Sequence, residues 1–396
     1  MTTDLLVDVR AEFPRLTRNE GIIYCNAAST GPLPARTIAV LDEWNRLRAE
    51  PWRITFEQQF ETAATARELC ARLIGADADE IALMPNTSAG INLAAQILSV
   101  AKDKVVLGHD GEFPANVYPW MALEQSGGAE GRGARFEQIA LLSNGLPDWE
   151  GLSARVDRGD VGLVAISWVS FVSGDRADLM RIGAMCRERG IWFVVDGIQG
   201  VGTTSLDVHA CNIDVLACGA QKWLLSPWGA GFCYVRRELT AQLDPRSVGW
   251  LGMRHSQEMS RMLEYDLTYL DDARKFEFAA TAYQDVAGMN ASLGMLAEIG
   301  AERVEERIHT LASRLMDDIA TMPRFTLVTP RERDRRAGIV SFLVADPNAV
   351  SERLDSAGVI HSVRGGGVIR LAPHIYNTAD EIDRMLETLE AVGTSG

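Results

Sequence analysis

Two polar residues stand where apolar runs end, and together they define a chemistry. Ile191-Trp192-Phe193-Val194-Val195 leads into Asp196, and Asp214-Val215-Leu216-Ala217-Cys218-Gly219-Ala220-Gln221 leads to Lys222. Both runs have the apolar, β-branched composition of buried strands, so Asp196 and Lys222 are expected at the same carboxyl edge of a sheet. A lysine amine beside an aspartate suits pyridoxal phosphate. The amine forms a Schiff base with the cofactor aldehyde, and the carboxylate keeps the pyridine nitrogen protonated so that the ring accepts electrons. Taken singly, a strand-end aspartate in a turn and a surface lysine account for the same residues. Their conjunction with the motifs below favours the chemical reading.

Asn86-Thr87-Ser88-Ala89-Gly90 opens an apolar-periodic helix with two hydroxyls. Free backbone amides at a helix start, joined by hydroxyls, make a cup for phosphate, although an ordinary N-cap explains the motif equally well. Gly197-Ile198-Gln199-Gly200-Val201-Gly202 has glycines in the reverse order of the dinucleotide fingerprint and follows an aspartate already at a strand tip. It is not read as a nicotinamide site. Arg364-Gly365-Gly366-Gly367-Val368-Ile369-Arg370 places a guanidinium, Arg370, on a short strand after a glycine-rich approach. Such an arginine grips a carboxylate with two parallel hydrogen bonds, and a surface salt bridge is the plainer alternative.

These side chains need a scaffold. Between about 81 and 235, short β-branched runs at 104–107, 161–167, 192–195, 215–217 and 231–235 alternate with helical stretches, which implies a mostly parallel sheet covered by helices on both faces. After about 269 the pattern becomes helices at 283–299 and 301–322, short strands at 325–328, 338–344 and 368–371, and a closing helix at 378–392. The expectation is an α/β cofactor-binding domain over 25–269 and a smaller α+β domain over 270–396, joined by 1–24. Residues 127–133 read as an exposed flexible loop.

Bulk properties narrow the partners. A chain of 396 residues, 47% hydrophobic, has ample core, and its net charge of −15 disfavours nucleic acid or an anionic membrane. Residues 1–18 lack the pattern of a secretory signal, and no segment approaches the roughly 20 apolar residues of a membrane span. The six cysteines have no paired spacing, which suits reduced thiols in a cytoplasm, and the six histidines show no metal-ligand spacing, so no metal is expected.

From Tyr24-Cys25-Asn26-Ala27-Ala28-Ser29-Thr30-Gly31-Pro32, through the Lys222 segment, to Arg370 and Tyr376-Asn377-Thr378, the chain resembles a fold-type-I pyridoxal phosphate enzyme of the class V aminotransferase family. That group contains cysteine desulfurases and isopenicillin N epimerase-like proteins. The resemblance implies a homodimer with its active site at the subunit boundary. It implies that Lys222 forms the Schiff base, that Asp196 pairs with the pyridinium nitrogen, and that Gln199 lies near the phenolic oxygen. Thr87, Ser88 and Gln221 would hold the phosphate, with Gln221 standing where the family usually has histidine. Phe113 takes the place of the ring-stacking residue, a histidine in desulfurases; plain core packing is the alternative for it. Arg370 would bind the substrate carboxylate, with Asn26 and Ala28 beside it.

Departures from the family shape the expected chemistry. No cysteine occupies 362–370, where desulfurases carry their thiol on a mobile loop, and this argues against a persulfide mechanism. Trp168 and Phe171 replace a histidine and an asparagine, so Phe113, Trp168 and Phe171 are expected to line an apolar pocket above the cofactor. Ala279-Ala280 stands where a Gly-Thr is common, leaving Thr281 one position late for the phosphate of the other subunit. The reaction expected first is aminotransferase-like or epimerase-like, at the alpha carbon of an amino acid or amine. A carbon–sulfur β-lyase follows, and last a non-catalytic cofactor-binding descendant, against which the retention of both Asp196 and Lys222 speaks.

Overall fold

The computed structural model describes residues 9–18, 21–125 and 134–392; the loop expected at 127–133 lies outside the described residues. Its strands in chain order are β1 (Ile23–Tyr24), β2 (Ile81–Met84), β3 (Val105–His109), β4 (Arg135–Ile139), β5 (Val161–Ser167), β6 (Trp192–Asp196) and β7 (Val215–Gly219). They continue with β8 (Gly231–Val235), β9 (Thr326–Leu327), β10 (Val340–Leu343), β11 (Val359–Ile360), β12 (Ser362–Arg364) and β13 (Val368–Leu371). Seven form one sheet in the order β2-β8-β7-β6-β5-β3-β4. From β7 to β4 it is parallel, while β8 runs antiparallel to both β7 and β2. The fold is α/β, as expected.

The central strands are apolar runs because helices cover both of their faces; every residue of β3, β7 and β8 is buried, as is every residue of the edge strand β2. Gly90, on the helix Thr87–Ile97, lets that helix sit close on β7, since a Cβ there would stand 2.6 Å from the Ala217 Cβ. The edge strand β4, Arg-Phe-Glu-Gln-Ile, is half exposed and mixed in polarity, which is why apolar periodicity did not mark it.

A second sheet, β12-β13-β10-β9, is antiparallel. Phe342 and Ile369 from it pack with Leu311 and Leu315 of the helix Ala301–Ile319 and Leu386 of the helix Ala379–Glu390, and Ile23 and Cys25 join that core. The short strands β1, β11 and β12 carried too few residues for a periodic signal. β1 pairs in parallel with β11, and Asn26 bridges to Ala372, so the segment after β1 is drawn against the end of β13. The helix Tyr283–Ile299 packs on the helices Ala35–Ala49 and Phe56–Ile74, and its Val286, Met289 and Leu293 lie in the core of the large sheet.

Candidate active site

Asp196 is the last residue of β6, in register with Ser167 of β5 and Ala217 of β7. It is buried, and Oδ1 accepts the Ile198 N–H at 3.0 Å. Burial pushes its carboxyl up to about 6, against the pull of that N–H and of Lys222. No arginine or lysine forms an ion pair with it among the described residues.

Lys222 follows β7 in a turn closed by Leu225 N–H to Lys222 O at 3.1 Å. Gly31 donates to Gln221 O at 2.8 Å, and a Cβ on Gly31 would stand 2.2 Å from Lys222 O, so only glycine admits this approach. Burial lowers the lysine amine to about 8, Asp196 pulls it back up, and Arg370 and Arg364 press it down. Its Nζ lies 5.6 Å from the centre of the Phe113 ring. That ring is 45% exposed and meets Phe171 edge-on with centroids 5.3 Å apart.

Gln199 is buried with both ends engaged. Its Nε2 donates to Ala28 O at 3.0 Å, and its Oε1 accepts the Trp223 Nε1–H at 2.7 Å. It therefore ties the Asn26–Ser29 turn to the Lys222 turn and has one N–H left to offer a ligand. Thr87 is buried and its Oγ1 accepts the Gly219 N–H at 2.9 Å, whereas Ser88 beside it is exposed. Asn86 caps the same helix through Ala89 N–H at 3.0 Å. The Gln221 side chain lies over Gly219, where an added Cβ would meet Oε1 at 2.5 Å.

Arg370 is buried on β13. Nη1 donates to Phe171 O at 2.8 Å and Nη2 to Ser29 Oγ at 2.8 Å, while Nε has no partner. Burial, with Arg364 adding to it, lowers its guanidinium to about 9. Asn26 holds this corner by accepting the Ser362 hydroxyl at 2.7 Å.

Trp168 lies away from the pocket expected for it. Trp168 packs on Gly200 and lines a cavity of about 660 Å³ with Leu142, Ala177 and Leu206, not with Phe113 and Phe171. The reason is alternation at the strand exit: Ser167 turns its hydroxyl to Glu112, so Trp168 turns to the opposite face. Thr281 lines a separate cavity with Trp44, Phe56 and Trp250.

Glu112 and Arg364 escaped the sequence reading. Glu112 accepts the Ser167 N–H at 2.7 Å, bonds the Ser167 hydroxyl and accepts from Asn116 Nδ2 at 3.3 Å, anchoring the turn that presents Phe113. Burial pushes its carboxyl up to about 7, with Asp196 adding to the rise. An acid next to an aromatic outside any apolar run gave no periodic signal for these contacts. Arg364 sits two positions from Ser362 on the same strand, a spacing that would have placed it on the face shared with Arg370 had the hairpin been recognised.

A buried acid at a strand tip, a desolvated amine facing an aromatic ring and a capped helix start fit the ring nitrogen, aldehyde and phosphate of pyridoxal phosphate. Known proteins agree. A protein of Methanothermobacter thermautotrophicus named as a probable cysteine desulfurase is 27% identical over 98% of each chain. The isopenicillin N epimerase of Streptomyces clavuligerus is 25% identical over 96% of each. The solved cysteine desulfurase of Thermococcus onnurineus superposes with a TM-score of 0.84, at 23% identity and 97% coverage of both chains. The aminotransferase class-V profile matches residues 23–385. With that match spanning both sheets, the chain belongs to the aminotransferase class-V family, as an enzyme whose cofactor is pyridoxal 5'-phosphate.

Proposed function

We propose that the enzyme takes an amino acid or amine substrate and acts at its alpha carbon, with an aminotransferase-like or epimerase-like outcome. The observation that carries this reading is the buried Asp196 and the half-buried Lys222, neither neutralised by an ion pair, facing an Arg370 that also lacks a carboxylate. When bound, pyridoxal phosphate withdraws electrons from a bond at the alpha carbon. Lys222 would hold the cofactor through its amine, and that amine when free would move the alpha proton. Its amine, lowered to about 8, is neutral in a useful fraction near neutral pH and so acts as a base. Asp196 holds the proton on the ring nitrogen. Thr87, Ser88 and Gln221 would hold the phosphate, Gln199 would offer its remaining N–H to the phenolic oxygen, and Phe113 would cover the ring. Arg370 binds the carboxylate beside Asn26 and Ala28.

A homodimer belongs to this reading. Tyr265, Leu263, Leu267, Trp228, Phe278 and Trp250 are exposed, a surface that suits a second copy, and Thr281 beside it suits a contact with that copy's cofactor phosphate. The six free thiols support a cytoplasmic site, and among the described residues no helix is long and apolar enough to cross a membrane. We keep 25–269 as the cofactor-binding domain, with 270–396 and 1–24 as the smaller one.

The desulfurase-named relative favours a second reading, a carbon–sulfur β-lyase in which sulfur leaves with part of the substrate. Sulfur transfer to an enzyme thiol lacks support, since all six cysteines are buried and none lies in 362–370. Burial pushes Cys211 up to about 11 and Cys186 to about 12, away from thiolate. The test incubates the holoenzyme with amino acids and thiol adducts while following the cofactor spectrum, with assays for keto acid, enantiomer, pyruvate and sulfide. Keto acid without sulfide, or racemate, supports the first reading, and pyruvate with sulfide the second. Silence across the panel overturns both in favour of a cofactor-binding descendant.

A further inference from the structure

The hairpin that carries Arg370 carries a second guanidinium on the same face. β12 and β13 pair as Ser362 opposite Arg370 and Arg364 opposite Val368, joined by Gly365–Gly367, with Gly366 at φ 75° and Gly367 at φ 82°. Arg364 is therefore the diagonal neighbour of Arg370, and the glycines permit a loop too short to let the two drift apart. Both Nη2 atoms donate to the same Ser29 Oγ, at 3.2 Å from Arg364 and 2.8 Å from Arg370, and both reach Ser362 Oγ at 3.4 Å. Arg364 also lies over the Phe171 ring, 6.0 Å from its centre.

All these partners are neutral. Among the described residues neither guanidinium forms an ion pair, and the Nε of each is buried without a partner. By contrast, the buried Arg155 meets two carboxylates, Glu137 and Asp160. Two like charges sharing one hydroxyl repel each other, and the arrangement becomes favourable only when negative charge arrives. A single carboxylate satisfies one guanidinium through two parallel bonds and leaves the other unmet.

We propose that Arg364 determines specificity by binding a second anionic group, so that the preferred substrate is an amino acid with an acidic side chain. This rests on the reading that Arg370 takes the alpha carboxylate. The ring of Phe171 holds the Arg364 plane and the Ser29 and Ser362 hydroxyls fix its donors, so the cradle is formed before the ligand enters.

The experiment titrates the holoenzyme with aspartate against asparagine and glutamate against glutamine, reading affinity from the cofactor's visible spectrum. Wild type should favour the acidic member of at least one pair by roughly ten- to a hundredfold. Arg364→Gln should erase that ratio, Arg364→Lys should restore part of it, and Arg370→Gln should weaken both members alike. A second arm measures thermal stabilisation of the same holoenzymes by dicarboxylates and monocarboxylates that lack an amine. The dicarboxylate should stabilise wild type more than Arg364→Gln. If amino acids leave the spectrum unchanged while the dicarboxylate preference stands, the amino acid reading fails and the cradle survives. Equal binding of acid and amide by wild type, or an equal loss of both in Arg364→Gln, would show Arg364 to be a helper of the alpha-carboxylate site and overturn the proposal.

Discussion

The two ends of the large sheet treat buried charge in opposite ways. At the amino edge, Asp214 before β7 accepts the Phe193 N–H at 2.8 Å and pairs with Arg236 at 2.7 Å, and Arg155 is clamped between Glu137 and Asp160. At the carboxyl edge, the buried Asp196 and the half-buried Lys222 have no ion pair, and Arg364 and Arg370 approach them from the small sheet with only neutral partners. Paired charge holds the first edge together. Unpaired charge at the second costs stability in the free protein and is recovered only from a ligand, which is how a site differs from a structural network.

The largest test of this contrast is Lys222→Ala. It should abolish both turnover and the borohydride-reduced cofactor adduct on the peptide containing residue 222, while the fold persists. A reduced adduct mapped by mass spectrometry to another lysine would break the assignment. Asp214→Ala at the opposite edge should instead cost about 3 kcal/mol of stability, because it strands Arg236 and the Phe193 N–H, without changing the bound cofactor's spectrum. Denaturant midpoints on both variants compare the edges directly.

Arg370→Ala should lower kcat/KM for carboxylate substrates by about ten- to a hundredfold, the loss of a charge-assisted pair, and leave cofactor retention intact. Matched substrates with and without the carboxylate separate this from a structural role, in which both fall together.

A smaller effect concerns pH. Asp196 stands at about 6 in the folded protein against an ordinary 3.8, so between those values the folded state binds the extra proton and stability falls as pH rises. Lys222, at about 8 against 10.5, gives the opposite slope, with stability rising from pH 8 to 10.5. Asp196→Asn, which keeps an acceptor for Ile198, should therefore stabilise the cofactor-free protein at pH 7 by about 1 kcal/mol and weaken cofactor retention. Thermal unfolding of cofactor-free protein across pH 4 to 10 shows both slopes, and a flat profile would remove the contrast. Of similar size, Phe171→Asn should shift side-chain preference by about 1 kcal/mol, within the range of one altered apolar contact, and leave carboxylate dependence in place. Rates for substrates of graded side-chain size measure it.

What the sequence made legible was whatever local composition dictates. The β-branched runs behind Asp196 and Lys222 are strands because such runs bury on both faces, and their polar ends had to emerge at one edge. The helix start at Asn86, the closing helix capped by Thr378 and the absence of a thiol before Arg370 were readable in the same way. Tertiary structure alone decided where side chains meet across the chain. Trp168 turned from the Phe113–Phe171 pair because Ser167 faces Glu112, a matter of strand phase at one residue. Glu112 was engaged by a partner 55 residues away, and Gln199 by Ala28 and Trp223. Arg364 came beside Arg370 because a three-glycine hairpin chose the register, and Ser29 met both because β1 pairs with β11. Propensity acts over a few neighbouring residues, whereas charge pairing depends on which distant segments the sheets bring together.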